Sequence, residues 1–455
     1  MKFFLLGLVL ISTSAFTRSN DLAHRPRSFS TPKGKAVFAD FTTANYAVTY
    51  DATLKQAKVR ADITLNMVEA GNLVFDSVQA PTLIQIDGKE TTATETKTPS
   101  SETTVRVLDE HISTGTHRLV VEVPLKELVE FTSQGVKSAF WTSDLSERKF
   151  LERYMPANLE YDQVKMTIKV EFIGSQANQV IYTNGTMAKR LRNSFEITYP
   201  AYYTASSVYF HTVPQGSTEE SRFSLKSIDG RNLPVVVYIS KGIMSGGMKA
   251  LDNLKLKTTQ IIQELESDYG PFPHSQIIVY NAGSGGMEYC GATITEMRAL
   301  GHELFHSYFA RGVMPANGNS GWLDEALASW RDEGYLKSAT MMGTSRMSAH
   351  PYYTRTTDRA AYSFGERFMR YLDHKLSEKG GLKPFMRHMV ERRAKAPLFV
   401  EEFIQEMSEF YGVSVKEDFV QYTYGSKGSS FKSSSKEHYH PMHQKMTLEQ
   451  LKQVL

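Results

Sequence analysis

Cysteine is almost absent from this sequence, which has one cysteine in 455 residues. A single cysteine cannot form an internal disulfide, so the fold has to be stabilised by burial of apolar surface. A strong excess of either charge is also missing. The formal net charge is +3, which gives no argument for a nucleic-acid partner. After the first residues no apolar run is long enough to cross a bilayer, so stable membrane insertion is not expected.

The chain begins with the features of a secretory signal peptide. Lys2 precedes an apolar run from Phe3 to Ile11, and a series of small residues ends at Ala15. The apolar run is much shorter than the roughly 20 residues that a membrane-spanning helix needs. The sequence therefore predicts a signal peptide over residues 1–15 and an exported protein, either periplasmic or secreted.

The hydrophobic pattern divides the rest of the chain into two domains. Residues 16–36 are polar and predict a leader, whereas residues 37–220 contain short β-branched and aromatic runs with polar alternation. A linker is expected within 215–232. Residues 233–425 begin with β-like runs and continue with helical periodicity, which is typical of an α+β domain. Residues 426–455 are rich in serine, lysine and histidine and predict a flexible tail.

The stretch HELFH combines two histidines and a glutamate on one predicted helix. His302 and His306 are four residues apart, so both imidazoles lie on one face and can bind one ion. Glu303 follows the first histidine and can reach the open side of that ion. The pattern H-E-x-x-H is typical of zinc peptidases, in which the glutamate is the general base. Because the pattern also arises by chance, it is suggestive by itself rather than decisive.

A catalytic zinc ion takes three protein ligands, so a third ligand is needed. Eighteen residues separate His306 from Glu325 in WLDEALASW, which has the pattern of a helix start. Taken alone, a glutamate there is also typical of a carboxylate that faces the helix dipole. Together with the two histidines, we interpret Glu325 as the third zinc ligand.

These motifs resemble the gluzincin aminopeptidase family, the group of membrane alanyl aminopeptidase and leukotriene hydrolase. The resemblance is carried by HELFHSYF and WLDEALASW, by GGMEYCG, which is similar to the family signature G-A-M-E-N, and by AYSFGERFMRYLDHKL. It extends over residues 38–425 and is strongest from 270 to 375. It implies an N-terminal all-β domain followed by a thermolysin-like zinc peptidase catalytic domain, with one Zn²⁺ ion per chain.

The resemblance also implies the catalytic roles. His302, His306 and Glu325 would bind the zinc ion, which lowers the pKa of a bound water to near neutrality. Glu303 would take the proton of that water and later pass it to the leaving amine. Tyr362 would donate a hydrogen bond to the oxyanion of the tetrahedral intermediate.

Further residues are implied for the substrate. Glu288 would hold the free α-ammonium group, which is what makes a peptidase an aminopeptidase. Gly285 and Gly286 lack side chains and would let a peptide pair with the edge strand. A second amine-binding residue of the family cannot be assigned with the same motif, but Ser143 and Asp144 lie in the corresponding region.

The sequence departs from the family pattern at two positions. Tyr289 replaces the final Asn of the signature and Cys290 replaces the Trp that commonly follows, so we expect a reshaped pocket beside Glu288. Cys290 itself is expected to be a small buried thiol rather than a nucleophile. Tyr352 and Tyr353 compete with Tyr362 for the oxyanion role, but neither precedes an apolar helix.

The predicted function is therefore that of a zinc metallopeptidase, foremost an aminopeptidase for peptides with free N-termini. Two alternatives remain open: a zinc endopeptidase or other hydrolase on the same site, and a non-catalytic relative that binds peptides. The family-like pattern ends near Gly425, before the helical domain of many members, which predicts an open site and longer peptides. The oligomeric state is not determined by the sequence.

Overall fold

The computed structural model describes residues 21–100, 104–142, 149–241, 247–316, 318–353, 357–425 and 446–455. The predicted signal peptide lies outside these residues, as do Ser143 and Asp144. Among the helices of the described ranges, none combines the length and the hydropathy that crossing a bilayer requires.

The first half of the described chain is built from β-strands. Three sheets have the strand orders β1-β2-β5-β9-β8, β15-β16-β13-β3-β4-β10-β6-β7 and β11-β12-β17-β14. The strand bounds are β1 Phe29–Thr31, β2 Gly34–Phe38, β3 Asp40–Asp51, β4 Gln56–Met67, β5 Gly71–Phe75, β6 Leu83–Ile86, β7 Lys89–Glu90, β8 Ala93–Lys97, β9 Thr104–Ile112, β10 Gly115–Pro124, β11 Val129–Phe131, β12 Val136–Ala139, β13 Lys165–Ile173, β14 Gln179–Thr183, β15 Thr186–Leu191, β16 Ser194–Thr198 and β17 Phe210–Pro214. This is the N-terminal β domain that the sequence predicts.

Alternation of apolar and polar residues explains these strands. In β13, Met166, Ile168 and Val170 are buried, whereas the residues between them face outward. Successive side chains of a strand point to opposite faces, so the pattern places one face of the sheet on the core and the other in solvent.

The second domain contains a five-stranded sheet with the strand order β18-β19-β20-β22-β21. Its strands are β18 Thr218–Lys226, β19 Asn232–Ser240, β20 Ile277–Asn281, β21 Gly286–Tyr289 and β22 Ala292–Thr295. Strand β18 pairs antiparallel with β19 from Thr218 to Lys226. The segment predicted as a linker therefore holds an edge strand of this sheet, in which exposed residues alternate with partly buried ones.

One helix lies between β19 and β20 in the chain, and the other helices follow the sheet together with a short parallel pair, β23 Val313–Pro315 and β24 Ala396–Leu398. The helices are α1 Gly247–Tyr269, α2 Leu300–Phe305, α3 Leu323–Asp332, α4 Glu366–Lys375, α5 Leu382–Arg393, α6 Val400–Tyr411, α7 Lys416–Tyr422 and α8 Leu448–Val454. A π-helical turn, Ala361–Gly365, precedes α4. The predicted fold class, an N-terminal β domain followed by an α+β domain, is confirmed.

The sheet of the second domain lies between two apolar cores. Val237 and Val279 face the helices, whereas Tyr238, Tyr280 and Met287 belong to the core of the β domain. Inside the sheet both faces are buried, so an inner strand such as β20 is a nearly continuous apolar run. The two domains are thereby packed across the sheet that ends in β21.

Both ends of the described chain pack more closely than predicted. The predicted leader includes β1 and the start of β2, and His24 Nε2 lies 2.8 Å from a carboxylate oxygen of Glu402. Helix α8 lies within the predicted flexible tail, yet Leu451 is fully buried and the Tyr280 hydroxyl donates to the Val454 carbonyl at 2.5 Å. The apolar side of α8 covers the β-domain core, which outweighs the polar composition of the preceding segment.

Candidate metal centre and active site

Helix α2 places the two predicted histidine ligands side by side. His302 lies within the helix, and His306 is the residue that ends it. Their ring centroids are 4.7 Å apart, and both side chains are buried. A spacing of four residues on a helix brings side chains onto one face, as the sequence predicts.

Glu325 reaches the same point from the first turn of α3. Its Oε2 atom lies 3.1 Å from His302 Nε2 and 3.4 Å from His306 Nε2. One ligand atom from each of the three residues lies within 4.8 Å of the others, and Glu325 is fully buried. Two imidazole nitrogens and one carboxylate are a donor set that zinc takes in catalytic sites, so the residues present fit this ion.

The far nitrogens of both imidazoles face hydrogen-bond acceptors. His302 Nδ1 lies 2.7 Å from Oδ2 of Asp332, and His306 Nδ1 lies 3.2 Å from the Phe309 carbonyl oxygen. An acceptor at Nδ1 holds the proton there and leaves Nε2 for a metal, the arrangement that orients histidine ligands in metal sites. The structure thus orients both rings towards Glu325.

These contacts also change the pKa of each imidazole in the metal-free protein. Burial lowers the pKa of His302, but Asp332 and then Glu325 outweigh burial and raise it to about 10. Burial likewise opposes charge on His306, whose pKa is nevertheless raised, mainly by Glu325. A divalent cation therefore has to displace protons from this cluster, and its affinity falls as the pH is lowered.

We expect the Asp332→Asn variant to bind zinc about 10–100-fold more weakly than the natural protein, because its amide no longer offers a negatively charged acceptor to His302. The change leaves all three proposed ligands in place. Competition titration with a chromophoric chelator measures the affinity. Unchanged zinc affinity would mean that Asp332 has no part in orienting the ring.

Strand β21 directs alternate side chains to two different environments. Glu288 has its carboxylate within 4.8 Å of the ligand atoms of Glu303 and His306. Met287 and Tyr289 point to the opposite face and belong to the β-domain core. Because β21 is the last strand in the sheet order, a peptide can pair with its outer edge.

Glycine is required at the two predicted positions, Gly285 and Gly286, for different structural reasons. Gly285 has a φ of 62°, in the left-handed region that glycine adopts without steric cost. Gly286 has Glu303 against it: a Cβ atom added at this position would overlap the carboxylate of that residue. Gly286 therefore leaves the space in which the Glu303 side chain lies.

We expect the Gly286→Ala variant to lose about 100-fold in kcat, because the new methyl group displaces the Glu303 carboxylate from its position. Zinc content should stay at the level of the natural protein, since no ligand is touched. Steady-state kinetics and metal analysis of the same preparation separate the two effects. A variant with normal kcat would show that the Glu303 position is not restrained from this side.

The structure separates the three tyrosines that compete for one role. Tyr362 lies in the π-helical turn before α4, and its ring stacks towards His302 with centroids 6.5 Å apart and planes at 20°. Tyr352 instead stacks on Phe399. The Tyr353 hydroxyl donates to the backbone of Arg27. Of the three tyrosines, Tyr362 is the one whose ring lies beside His302, a candidate metal ligand.

The departures from the family pattern serve the domain interface. The Tyr289 hydroxyl accepts a hydrogen bond from the Thr142 backbone N–H at 3.0 Å, and its ring packs edge-on against Tyr209. Cys290 is fully buried, and burial raises the pKa of its thiol to about 12, which suppresses the reactive thiolate. The Tyr289 side chain thus anchors β21 to the β domain, and the expected reshaping of the pocket beside Glu288 stays a prediction.

Two residues of the site were missed by sequence reasoning. Asp332 follows Glu325 by two helical turns on α3, so the spacing in the sequence predicts that both side chains lie on the same face of this helix. Arg311 lies just after the histidine motif, and its Nη2 donates to Oε1 of Glu288 at 2.9 Å. Nothing in the local sequence pattern indicates this contact, because the two residues lie on different elements.

The sequence matches no protein-family model, and no curated protein sequence matches it either. Solved structures do match the fold. A mutant M1 zinc metallopeptidase from Deinococcus radiodurans with a bound Tyr-Ser-Ala substrate has a TM-score of 0.59 at 16% identity, over 82% of this chain and 91% of that chain.

Two further structures are similar over the same region. Legionella pneumophila aminopeptidase A in complex with aspartic acid has a TM-score of 0.62 at 15% identity, over 87% of this chain and 50% of that chain. Leukotriene A4 hydrolase from Saccharomyces cerevisiae has a TM-score of 0.59 at 15% identity, over 82% of this chain and 65% of that chain. The chain therefore has the fold of the M1 zinc metallopeptidases.

Proposed function

We propose that this protein is a zinc metallopeptidase that hydrolyses peptides. The observation that carries the proposal is the convergence of His302, His306 and Glu325, whose ligand atoms lie within 4.8 Å of one another in a buried cluster. Glu303, which is also buried, lies on the same short helix as the first histidine. Peptide binding alone does not require a carboxylate base beside a group of metal-ligating side chains.

His302, His306 and Glu325 would hold a zinc ion, which would supply a Lewis acid to polarise the scissile carbonyl and acidify water. Glu303 accepts a proton from the attacking water and returns it to the nitrogen of the leaving amine. Gly286 keeps the space for this carboxylate, and a peptide backbone would pair along β21, the last strand in the sheet order.

The narrower proposal is an aminopeptidase, which removes residues from peptides with free N-termini. It is supported by Glu288, whose carboxylate lies beside Glu303 and His306 and faces the metal cluster. It is also supported by the similar structures, one with a bound Tyr-Ser-Ala substrate and one with aspartic acid. In this role Glu288 would lie next to the first residue of the substrate.

Tyr362 is proposed to donate its hydroxyl hydrogen to the oxyanion. We expect the Tyr362→Phe variant to lose about 10²–10³-fold in kcat with little change in KM, because the lost bond forms in the transition state. Tyr352→Phe is the matched control and should keep full activity, since that ring packs on Phe399. Equal effects of both substitutions would argue against this assignment.

The proposed function is tested by metal analysis and peptide assays on the purified protein. We expect one zinc ion per chain and hydrolysis of peptides that stops with a chelator and returns with zinc. For a peptide with a free N-terminus, mass spectrometry should show single residues released from that end among the products. Folded protein that neither retains zinc nor cleaves any peptide would overturn the proposal. Export by the predicted signal peptide stays a separate prediction.

A further inference from the structure

Arg311 occupies a buried position beside the proposed amine-binding carboxylate. Its Nη2 donates to Glu288 Oε1 at 2.9 Å, and the side chains of the two residues are 5% and 0% exposed. Its Nη1 donates to the Ser206 hydroxyl at 2.6 Å, and the guanidinium lies over the Phe150 ring, 5.6 Å from its centroid. The cation is thus enclosed, and Glu288 is its buried ionic partner.

The backbone of Arg311 is held as firmly as its side chain. Its N–H donates to the His306 carbonyl at 2.9 Å, and its own carbonyl accepts a hydrogen bond from the Cys290 thiol. The preceding Ala310 has a φ of 141°, which is unusual for a residue with a side chain. These contacts tie the guanidinium to the metal-binding turn on one side and to the end of β21 on the other.

The Arg311 guanidinium offsets the negative charge of Glu288, and the α-ammonium group of a substrate would need that charge in order to bind. An ammonium group gains most from a carboxylate that has no cation beside it, and much less from an ion pair that is already neutral. Glu160 also approaches Arg311 Nη1, but at 3.5 Å this contact is longer than the 2.9 Å contact to Glu288, and the Glu160 side chain is 20% exposed whereas that of Glu288 is fully buried. Glu288 is therefore the nearer and more deeply buried partner of the guanidinium, which offsets a large part of the Glu288 charge that faces the first substrate residue.

We propose that Arg311 makes this pocket tolerant of uncharged groups, so that the enzyme cleaves N-acylated peptides and internal peptide bonds in addition to peptides with free N-termini. This inference rests on the proposed zinc peptidase function and names a wider substrate class for the same site. Arg311 is a specificity-determining residue in this proposal, because it acts on the substrate through Glu288.

The test uses the zinc-loaded natural protein and two peptides of identical sequence, one with a free and one with an acetylated N-terminus. We expect the kcat/KM values for the two peptides to agree within about tenfold. If Glu288 bound the ammonium group as a full ion pair, acetylation would remove that contact and lower kcat/KM much further. A preference above about 100-fold for the free peptide overturns the inference while leaving the peptidase function intact. Cleavage of neither peptide overturns both, and the two failures are thereby distinguished.

Two variants test the role of the arginine itself. Arg311→Met leaves the Glu288 charge without its cation, so the preference for the free over the acetylated peptide should rise by about tenfold or more. The double variant Glu288→Gln with Arg311→Met removes both charges and should keep the preference within about threefold of the natural protein. A rise of similar size in both variants would contradict the inference.

Breaking a buried ion pair by removing one partner can prevent folding, so the variants need a check of their integrity. Circular dichroism melting and zinc content establish this for each preparation. If Arg311→Met does not fold, the double variant and the natural protein still decide the question. The double variant removes the fully buried Glu288 charge together with its partner, and Glu160, which also loses the guanidinium, is 20% exposed. Loss of the natural tolerance for acetylated peptides in a folded, zinc-loaded double variant would also count against the inference.

Discussion

Replacing Glu303 with glutamine is expected to lower kcat for peptide hydrolysis by about 10²–10⁴-fold while zinc stays bound. Glutamine has nearly the same shape as glutamate but cannot accept the proton of the attacking water. The three proposed ligands, His302, His306 and Glu325, are untouched by the change. The side chain should also keep its place against Gly286, because its size is unchanged.

The measurement is steady-state kinetics on a free N-terminal peptide together with the zinc content of the same sample. Glu391→Gln, on the exposed face of α5, is the matched control and should keep both full activity and zinc. A Glu303→Gln variant with normal kcat would show that another group accepts the proton. Loss of zinc from this variant would instead place Glu303 among the ligands.

Replacing Glu325 with alanine is expected to abolish stable zinc binding and, with it, activity. The carboxylate is fully buried and lies within 3.4 Å of both imidazole nitrogens that would share the ion. A catalytic zinc ion needs three protein ligands, and two imidazoles alone hold it poorly. The loss of affinity should exceed the about 10–100-fold that is typical of residues outside the ligand set.

Zinc content after dialysis and chelator competition measure this effect. Glu333→Ala is the matched control, because Glu333 ends the same helix but pairs with Arg370 at its surface. The control should retain one zinc ion per chain. A Glu325→Ala variant that keeps zinc with unchanged affinity would remove this residue from the ligand set, and the proposed chemistry would have to be reassigned.

Much of the fold was predictable because its signals are local. The alternation in β13 predicts a half-buried strand, and the structure shows that pattern of burial. The linker was predicted wrongly for the opposite reason. Strand β18 has polar residues along its exposed face, and only its pairing with β19 shows that it belongs to the sheet of the second domain. An edge strand can resemble a loop when one strand is considered alone.

The helix at the C-terminus shows the same limit. Its composition predicts weak local structure, whereas its burial depends on a complementary surface formed by residues such as Tyr280, far away in the chain. Tertiary packing overrides local preference in short helices, which are marginal on their own. No periodicity within the segment itself indicates that partner.

By itself the sequence determined the candidate site, because a helix repeats every 3.6 residues and the spacing of His302 and His306 therefore sets their common face. The tertiary structure decided what surrounds that site. Asp332 reaches His302 from 30 residues away, and Arg311 meets Glu288 across two elements. Such contacts depend on how separate elements pack, and side-chain packing has no repeat that can be read along the chain.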